Sequence, residues 1–255
     1  MSLLEIKNVT MRFGGLTSVD CFNAVVQPNE LVGIIGPNGA GKTTVFNMIT
    51  GVYDPSEGDI LLNGKSIVEF KPYEVSNMGI SRTFQNIRLF KSMSVKDNVR
   101  VSFVKNLDHG YFATLVRAGK FTKEEKDIDD KIEEYLEIFD LQDVKNELAV
   151  SLPYGDQRKL EIVRALATSP KLLLLDEPAA GMNPTEKVDL NSLIKKVKEQ
   201  FKISIVLIEH DMKVVMGVCE RIYVLEYGKK IAEGLPEEIR NNPKVIEAYL
   251  GDTHH

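Results

Sequence analysis

The sequence predicts an α/β protein with an antiparallel β subdomain and an inserted helical subdomain. Three observations carry this. Short unbroken apolar runs at 31–35, 172–175 and 203–208 read as buried strands, each followed by a segment with helical character. Alternating apolar stretches and an Asn-Gly turn flank the first of these runs, which is antiparallel hairpin material. Residues 86–150 show no β pattern and carry apolar residues at helical spacing. On this division, 1–85 and 151–255 form the α/β core with its β subdomain, and 86–150 form the helical subdomain.

Taken in order, residues 3–13 alternate in two stretches, Leu4/Ile6 and then Val9/Met11/Phe13, with a phase slip at Lys7-Asn8. Half-buried antiparallel strands with a bulge or break fit that pattern. Phe13 has two readings: a core side chain, or an aromatic face for adenine left at a strand end by Gly14-Gly15. Leu31-Val32-Gly33-Ile34-Ile35 is a buried strand. It runs into Gly36-Pro37-Asn38-Gly39-Ala40-Gly41-Lys42-Thr43, which fits G-x-x-x-x-G-K-[ST], the phosphate-binding loop. The stretch from Thr44 to Thr50 reads as a helix, with Gly51 placed to end it. Strand, glycine loop and helix is the context the motif requires. Glycines let the loop wrap an anion with its N–H groups turned inward. The helix N-terminus adds partial positive charge. Lys42 supplies a full charge to the β- and γ-phosphates, and the Thr43 hydroxyl can hold Mg²⁺. Ile60, Leu62 and Asn63-Gly64 then read as a hairpin.

Gln85 lies in Arg82-Thr83-Phe84-Gln85-Asn86, where the α/β part gives way to the helical section. A glutamine is no base, but its carbonyl can ligate Mg²⁺ and its amide can orient water; out of context it is an ordinary surface residue. Beyond Phe121-Thr122, the side chains Ile128, Ile132, Tyr135, Leu136 and Phe139 mark an amphipathic helix, whose acidic face reads as solvated. Leu152-Pro153-Tyr154-Gly155-Asp156-Gln157-Arg158 precedes a helix expected over 156–168. A glycine ahead of a helix is an anion-site signal, and with one glycine a weak one.

Lys171 to Asp176 is a buried strand ending in an acid, with Glu177 next. Ligand chemistry in α/β sheets collects at the C-terminal ends of strands. There Asp176 suits a water-mediated Mg²⁺ contact and Glu177 a general base acting on the attacking water. Asn183-Pro184-Thr185-Glu186 is a helix start. The strand at 203–208 leads to Glu209-His210-Asp211. His210 fits a γ-phosphate sensor if that strand shares the sheet edge with Glu177, and a hydrogen-bonded core histidine otherwise. A hairpin over 222–231 turns near Tyr227-Gly228, and two short helices follow Pro236 and Pro243.

Composition excludes several classes. With 255 residues, a net charge of −5 and no block of consecutive Lys or Arg, nucleic acid is not the expected ligand. Cys21 and Cys219 have no metal-type spacing and are expected as buried, reduced thiols. No apolar run approaches the ~18 residues of a membrane span. The first residues lead into a strand pattern rather than a signal peptide. A cytosolic protein is expected, with any membrane role exerted through a partner. His254 and His255 are set aside.

The order of these motifs resembles the ATP-binding cassette proteins of ABC transporters, a P-loop NTPase family, over essentially the whole chain. The likeness runs through an aromatic A-loop residue at Phe13, Walker A at 36–43, a Q-loop at Gln85 and a signature before a helix. Walker B then ends at Asp176 with Glu177, followed by a D-loop at Ala180-Gly181-Met182-Asn183 and a switch at His210. Arg82 to Phe90, Leu152-Pro153-Tyr154-Gly155 and Glu177 to Pro184 resemble the first ATPase of branched-chain amino-acid importers more than the second. One departure stands out. The family's Leu-Ser-Gly-Gly-Gln has Pro153, Tyr154 and Asp156 in its Ser, first Gly and Gln places. A hydroxyl donor to the γ-phosphate is lost, while the Gly155 N–H and the helix N-terminus remain.

The resemblance implies ATP held by Phe13 and by Gly36, Pro37, Asn38, Gly39, Ala40, Gly41, Lys42, Thr43 and Thr44. It implies Mg²⁺ at Thr43, Gln85 and Asp176, and catalysis by Glu177, His210 and Gln85. Leu152, Pro153, Tyr154, Gly155, Asp156 and Asn183 would face the nucleotide of a second ATP-binding subunit, in an ATP-dependent homo- or heterodimer. Permease subunits would be the membrane partners, placing the chain on the inner face of the membrane, with a substrate-binding protein acting indirectly. A cassette of a lipid or polysaccharide exporter is the alternative. An ATPase acting on nucleic acid would want coiled-coil insertions, zinc cysteines or a basic face, and a non-hydrolysing regulator would not want Glu177 and His210.

Overall fold

The computed structural model describes residues 1–104 and 118–251. Along the chain run β1 (Leu4–Phe13), β2 (Leu16–Val26), β3 (Leu31–Ile35), α1 (Lys42–Ile49), β4 (Glu57–Leu62), β5 (Lys65–Ser66), α2 (Pro72–Asn77) and β6 (Ile80–Arg82). Then come α3 (Val95–Val104), α4 (Ala118–Ile138), α5 (Tyr154–Leu166), β7 (Leu172–Asp176), α6 (Pro184–Phe201), β8 (Ser204–Ile208) and α7 (Met212–Val218). The chain closes with β9 (Arg221–Glu226), β10 (Lys229–Gly234), α8 (Pro236–Arg240) and α9 (Pro243–Gly251). Two compact units form: Met1–Gln85 with the chain from Lys171 onward, and Asn86–Pro170.

The first unit holds two sheets. A six-stranded sheet has the order β10-β9-β3-β8-β7-β6, parallel except for the β9–β10 hairpin. β3, β7 and β8 are buried at every position. Strands covered on both faces are mostly apolar, which is why these three read as near-continuous apolar runs, with Ser204 and Asp176 at strand ends the polar exceptions. Parallel alignment brings the C-terminal ends of β3, β6, β7 and β8 to one edge. There Asp176 lies opposite Ile208, and Ile208 opposite Ile34. The second sheet is four-stranded and antiparallel, in the order β2-β1-β4-β5. One core joins both sheets and α1 through side chains such as Ile6, Phe22, Phe46, Ile60, Leu174 and Val206. At ~1.5–3 kcal/mol per buried large apolar side chain, this shared core fixes the two sheets to each other.

Local signals held where spacing alone decides. The slip at Lys7-Asn8 is a register shift, between Ile6 and Val9 against β2 and between Lys7 and Thr10 against β4, with Asn8 at φ 49°. Asn63-Gly64 and Tyr227-Gly228 turn hairpins. Asn183 caps α6 by accepting from the N–H groups of Thr185 and Glu186, and the Glu186 side chain reaches back to the Asn183 N–H. Other features departed from expectation. Cys219 is buried but Cys21 is exposed, because β2 is irregular there and Cys21 takes φ 48°. β2, α2 and the three-residue β6 carry no signal strong enough to be anticipated from the sequence.

In the second unit, α3 packs with α4 and α5. Ile132, Leu136 and Phe139 are fully buried, and Tyr135 packs against Phe103. The acidic face of α4 is more than solvated. Asp129 pairs with Arg100 and Lys96, and Glu133 pairs with Lys145 at 2.8 Å. Buried Asn98 bonds both the N–H and the C=O of Phe90 and so fixes the segment leading into α3. The sequence places the second junction at 150/151. The compact unit instead reaches Pro170, because α5 packs on α3. No helix among the described residues is long and apolar enough to cross a membrane. His254 and His255 lie outside the described residues.

Candidate nucleotide site

The phosphate-binding loop leaves β3 at the sheet edge and is shaped by backbone contact. A Cβ at Gly36 would stand 2.0 Å from the Leu225 carbonyl oxygen, and one at Gly41 would stand 2.6 Å from that of Ser18. Both glycines have positive φ, 152° and 102°. Only glycine fits a loop pressed between β9 and β2. The β9–β10 turn fastens it further: Gly228 donates to the Ala40 carbonyl at 3.0 Å, and its own carbonyl accepts from Asp20 at 2.9 Å. No side chain caps α1, so the first-turn N–H groups are left to a ligand. Lys42 is buried, and its Nζ donates to the carbonyls of Gly36 and Pro37 at 2.7 and 2.8 Å, which holds its charge over the loop. Thr43 is exposed, and the Thr44 hydroxyl bonds that of Ser18 at 2.9 Å.

Two adjacent acids end β7 in different surroundings. Asp176 is buried and pairs with Arg82 at 2.6 Å. Arg82 also donates to Asn47 of α1 at 2.7 Å and lies between the rings of Phe46 and Phe84. This arginine ties the Walker B acid to the helix of the phosphate loop. Glu177 takes φ 47°, the left-handed region, which places it in a turn at the sheet edge. Its Oε2 accepts from the Gln85 amide at 2.8 Å and lies 3.8 Å from His210 Nδ1. His210 follows β8 and is exposed, not a buried core histidine. Glu177, Gln85 and His210 thus gather around one carboxylate oxygen.

Phe13 ends β1 and is 41% exposed, with its ring edge-on to Tyr53 at 5.2 Å between centroids. It is not a core residue, and Tyr53 extends the aromatic surface.

The segment 152–156 belongs to the second unit. Leu152 is buried, Pro153 precedes α5, and Tyr154 and Gly155 are already helical, two residues earlier than expected. Arg158 donates to the Tyr154 hydroxyl at 3.1 Å and pairs with Glu161 at 3.0 Å; Asp156 pairs with Lys159. Asn183 spends its side-chain oxygen on capping α6.

The donor set suits Mg²⁺ carried by a nucleotide. Among the described residues no cluster of three or more His, Cys, Asp or Glu could form an all-protein cage. The oxygens of Thr43, Gln85 and Asp176 fit instead a hard ion that keeps waters and phosphate oxygens. Arg82, Asn47, Ser18 and Tyr53 were missed in the sequence. Only Arg82 left a signal, an arginine three residues before Gln85.

The sequence matches the family described as ABC transporter over residues 19–180, and that described as branched-chain amino acid ATP-binding cassette transporter over residues 229–255. It is 46% identical over 250 residues to the high-affinity branched-chain amino acid transport ATP-binding protein LivG of Escherichia coli, covering 98% of each chain. To the corresponding protein BraF of Pseudomonas aeruginosa it is 44% identical over 250 residues, again covering 98% of each. The solved ADP conformation of MJ1267, an ATP-binding cassette of an ABC transporter, matches with a TM-score of 0.85 at 32% identity, covering 98% of this chain and 99% of that one.

Proposed function

The chain belongs to the ABC transporter family of ATP-binding proteins, and on that premise we propose that it is the ATP-hydrolysing motor of a branched-chain amino-acid importer. The observation that carries the mechanism is the meeting of Glu177, Gln85 and His210 at the sheet edge from which the phosphate loop also leaves. Likeness to LivG and BraF along nearly the whole chain supports the substrate class.

In this reading Phe13 stacks on adenine, and the free backbone N–H groups of the loop after Pro37 and of the first turn of α1 take the phosphates. Lys42 moves its charge from the loop carbonyls to the β- and γ-phosphates. Glu177 accepts a proton from water as that oxygen bonds to the γ-phosphorus and the bond to the ADP oxygen breaks, giving ADP and phosphate. The Gln85 amide holds the Glu177 carboxylate in line, and His210 bonds the γ-phosphate. Mg²⁺, held at Thr43, Gln85 and Asp176, would neutralise charge on the β- and γ-oxygens. The segment Leu152 to Asp156 and the D-loop at Asn183 would meet the nucleotide of a second ATP-binding subunit, identical or related, in a head-to-tail dimer. With its permease partners the chain would lie on the inner membrane face, served indirectly by a substrate-binding protein.

Reconstitution tests this. Vesicles holding the chain with its permease and binding-protein partners should take up leucine, isoleucine or valine with ATP, and Lys42→Ala should stop uptake. Hydrolysis that ignores all three amino acids would refute the substrate class.

A further inference from the structure

Glu209, between β8 and His210, has no role in the site as described so far. It is fully buried. Its two oxygens serve different loops. Oε1 accepts the Ala179 N–H at 2.8 Å, and Oε2 accepts the N–H groups of His210 and Asp211 at 3.1 and 3.3 Å. Ala179 lies two residues after Glu177, inside a turn closed by the Ala180 N–H on the Glu177 carbonyl at 3.2 Å. Glu177 itself is held at φ 47°. A side chain persists in that region only where its surroundings over-determine it. Here the determinants are the Glu177 N–H on the Ile208 carbonyl at 2.9 Å and the Ala179 N–H on Glu209.

The chemistry of the residue fits this task. A buried carboxylate is costly unless hydrogen-bonded; burial raises the Glu209 carboxyl above the usual carboxylate range, and the three N–H bonds offset only part of that. Two equivalent acceptor oxygens are what the arrangement uses. An amide of the same shape has one acceptor and one NH₂, and the NH₂ would face an N–H donor.

We propose that Glu209 is a positioning residue for ATP hydrolysis: its carboxylate fastens the turn that aims Glu177 to the loop that carries His210, so that base and phosphate sensor keep one geometry. The proposal rests on the roles given to Glu177 and His210 above. Glu209 Oε2 also lies 3.8 Å from His210 Nδ1, so its hold on that loop reaches the ring as well as the backbone; in this reading ATP binding at the phosphate loop does not pass through it.

The test is Glu209→Gln in the full chain, assayed for ATP hydrolysis alone and with the membrane partners. The expected result is a kcat lowered about 10–10²-fold, the scale of a misplaced catalytic group, with KM for ATP within about 2-fold of wild type. In a His210→Ala background, Glu209→Gln should cost less than it does in the wild type, because part of its effect runs through His210 and part through Glu177. Wild-type turnover in Glu209→Gln, an equal change in kcat and KM, or additive losses would each overturn the proposal. Should the Gln variant not fold, Glu209→Asp, which keeps the charge and cannot span both loops, is judged by the same comparison. If neither folds, Glu209 is a core residue and the proposal is wrong. Glu177→Gln serves as control: normal turnover there overturns the site reading itself, whereas a dead Glu177→Gln beside a normal Glu209→Gln overturns only this inference.

Discussion

The phosphate loop and the segment from Leu152 to Asp156 both lead into a helix that no side chain caps, and both contain glycine. They are otherwise unlike. In the loop, Gly36, Gly39 and Gly41 all have positive φ, and backbone carbonyls of β9 and β2 stand where two of their Cβ atoms would be. In the other segment, Gly155 is an ordinary helical residue, and the polar side chains around it bond one another. The loop is a finished anion cradle within one unit. The segment has a helix N-terminus but no cradle of its own, which suits a surface that completes a site on another molecule. A glycine next to a helix start is therefore informative only when the backbone around it needs glycine.

Four substitutions sharpen that contrast. Glu177→Gln should leave ATP binding intact and slow hydrolysis by about 10²–10⁴-fold, the span for losing a general base. Single-turnover phosphate release checks this, and normal turnover would make Glu177 a spectator. Gly36→Ala should destabilise the chain by about 2–4 kcal/mol, from backbone strain and a clash, and weaken ATP in parallel; thermal unfolding with and without ATP reads both. Phe13→Ala should weaken ATP and GTP alike by about 1–3 kcal/mol, by analogy with base stacking on aromatic rings. Untouched affinity for both nucleotides would remove Phe13 from the site. Gly155→Ala should do least. A helical position gains up to about 1 kcal/mol from alanine, so its melting temperature should match or exceed wild type. A loss as large as that of Gly36→Ala would erase the distinction drawn here.

What was legible in the sequence was local. The phosphate loop is read from spacing, the buried strands from apolar runs, and the α6 start from Asn183, Pro184 and Glu186, because neighbours in the chain decide each. What was not legible depends on distant partners. Arg82 and Asp176 are 94 residues apart, and nothing in either neighbourhood announces their pairing. Glu209 looks like any acid after a strand until Ala179, 30 residues earlier, is placed against it. The three-residue β6 is too short for a periodic signal. The start of α5 is not legible in the sequence because Tyr154-Gly155 lowers helix propensity. Contacts of Arg158 with Tyr154 and Glu161 along the same helix accompany the two extra residues.

We propose that this chain holds ATP on its own phosphate loop and Phe13, and offers the 152–156 segment to the nucleotide of another subunit. Calorimetric titration of the purified chain with Mg²⁺-ATP tests it most directly, comparing wild type, Lys42→Ala and Tyr154→Ala. Lys42→Ala removes charge-assisted contacts of about 1.5–3 kcal/mol and leaves phosphate charge unmet, so ATP binding should be lost. Tyr154→Ala should bind as wild type does. Retained affinity in Lys42→Ala together with lost affinity in Tyr154→Ala would contradict the account.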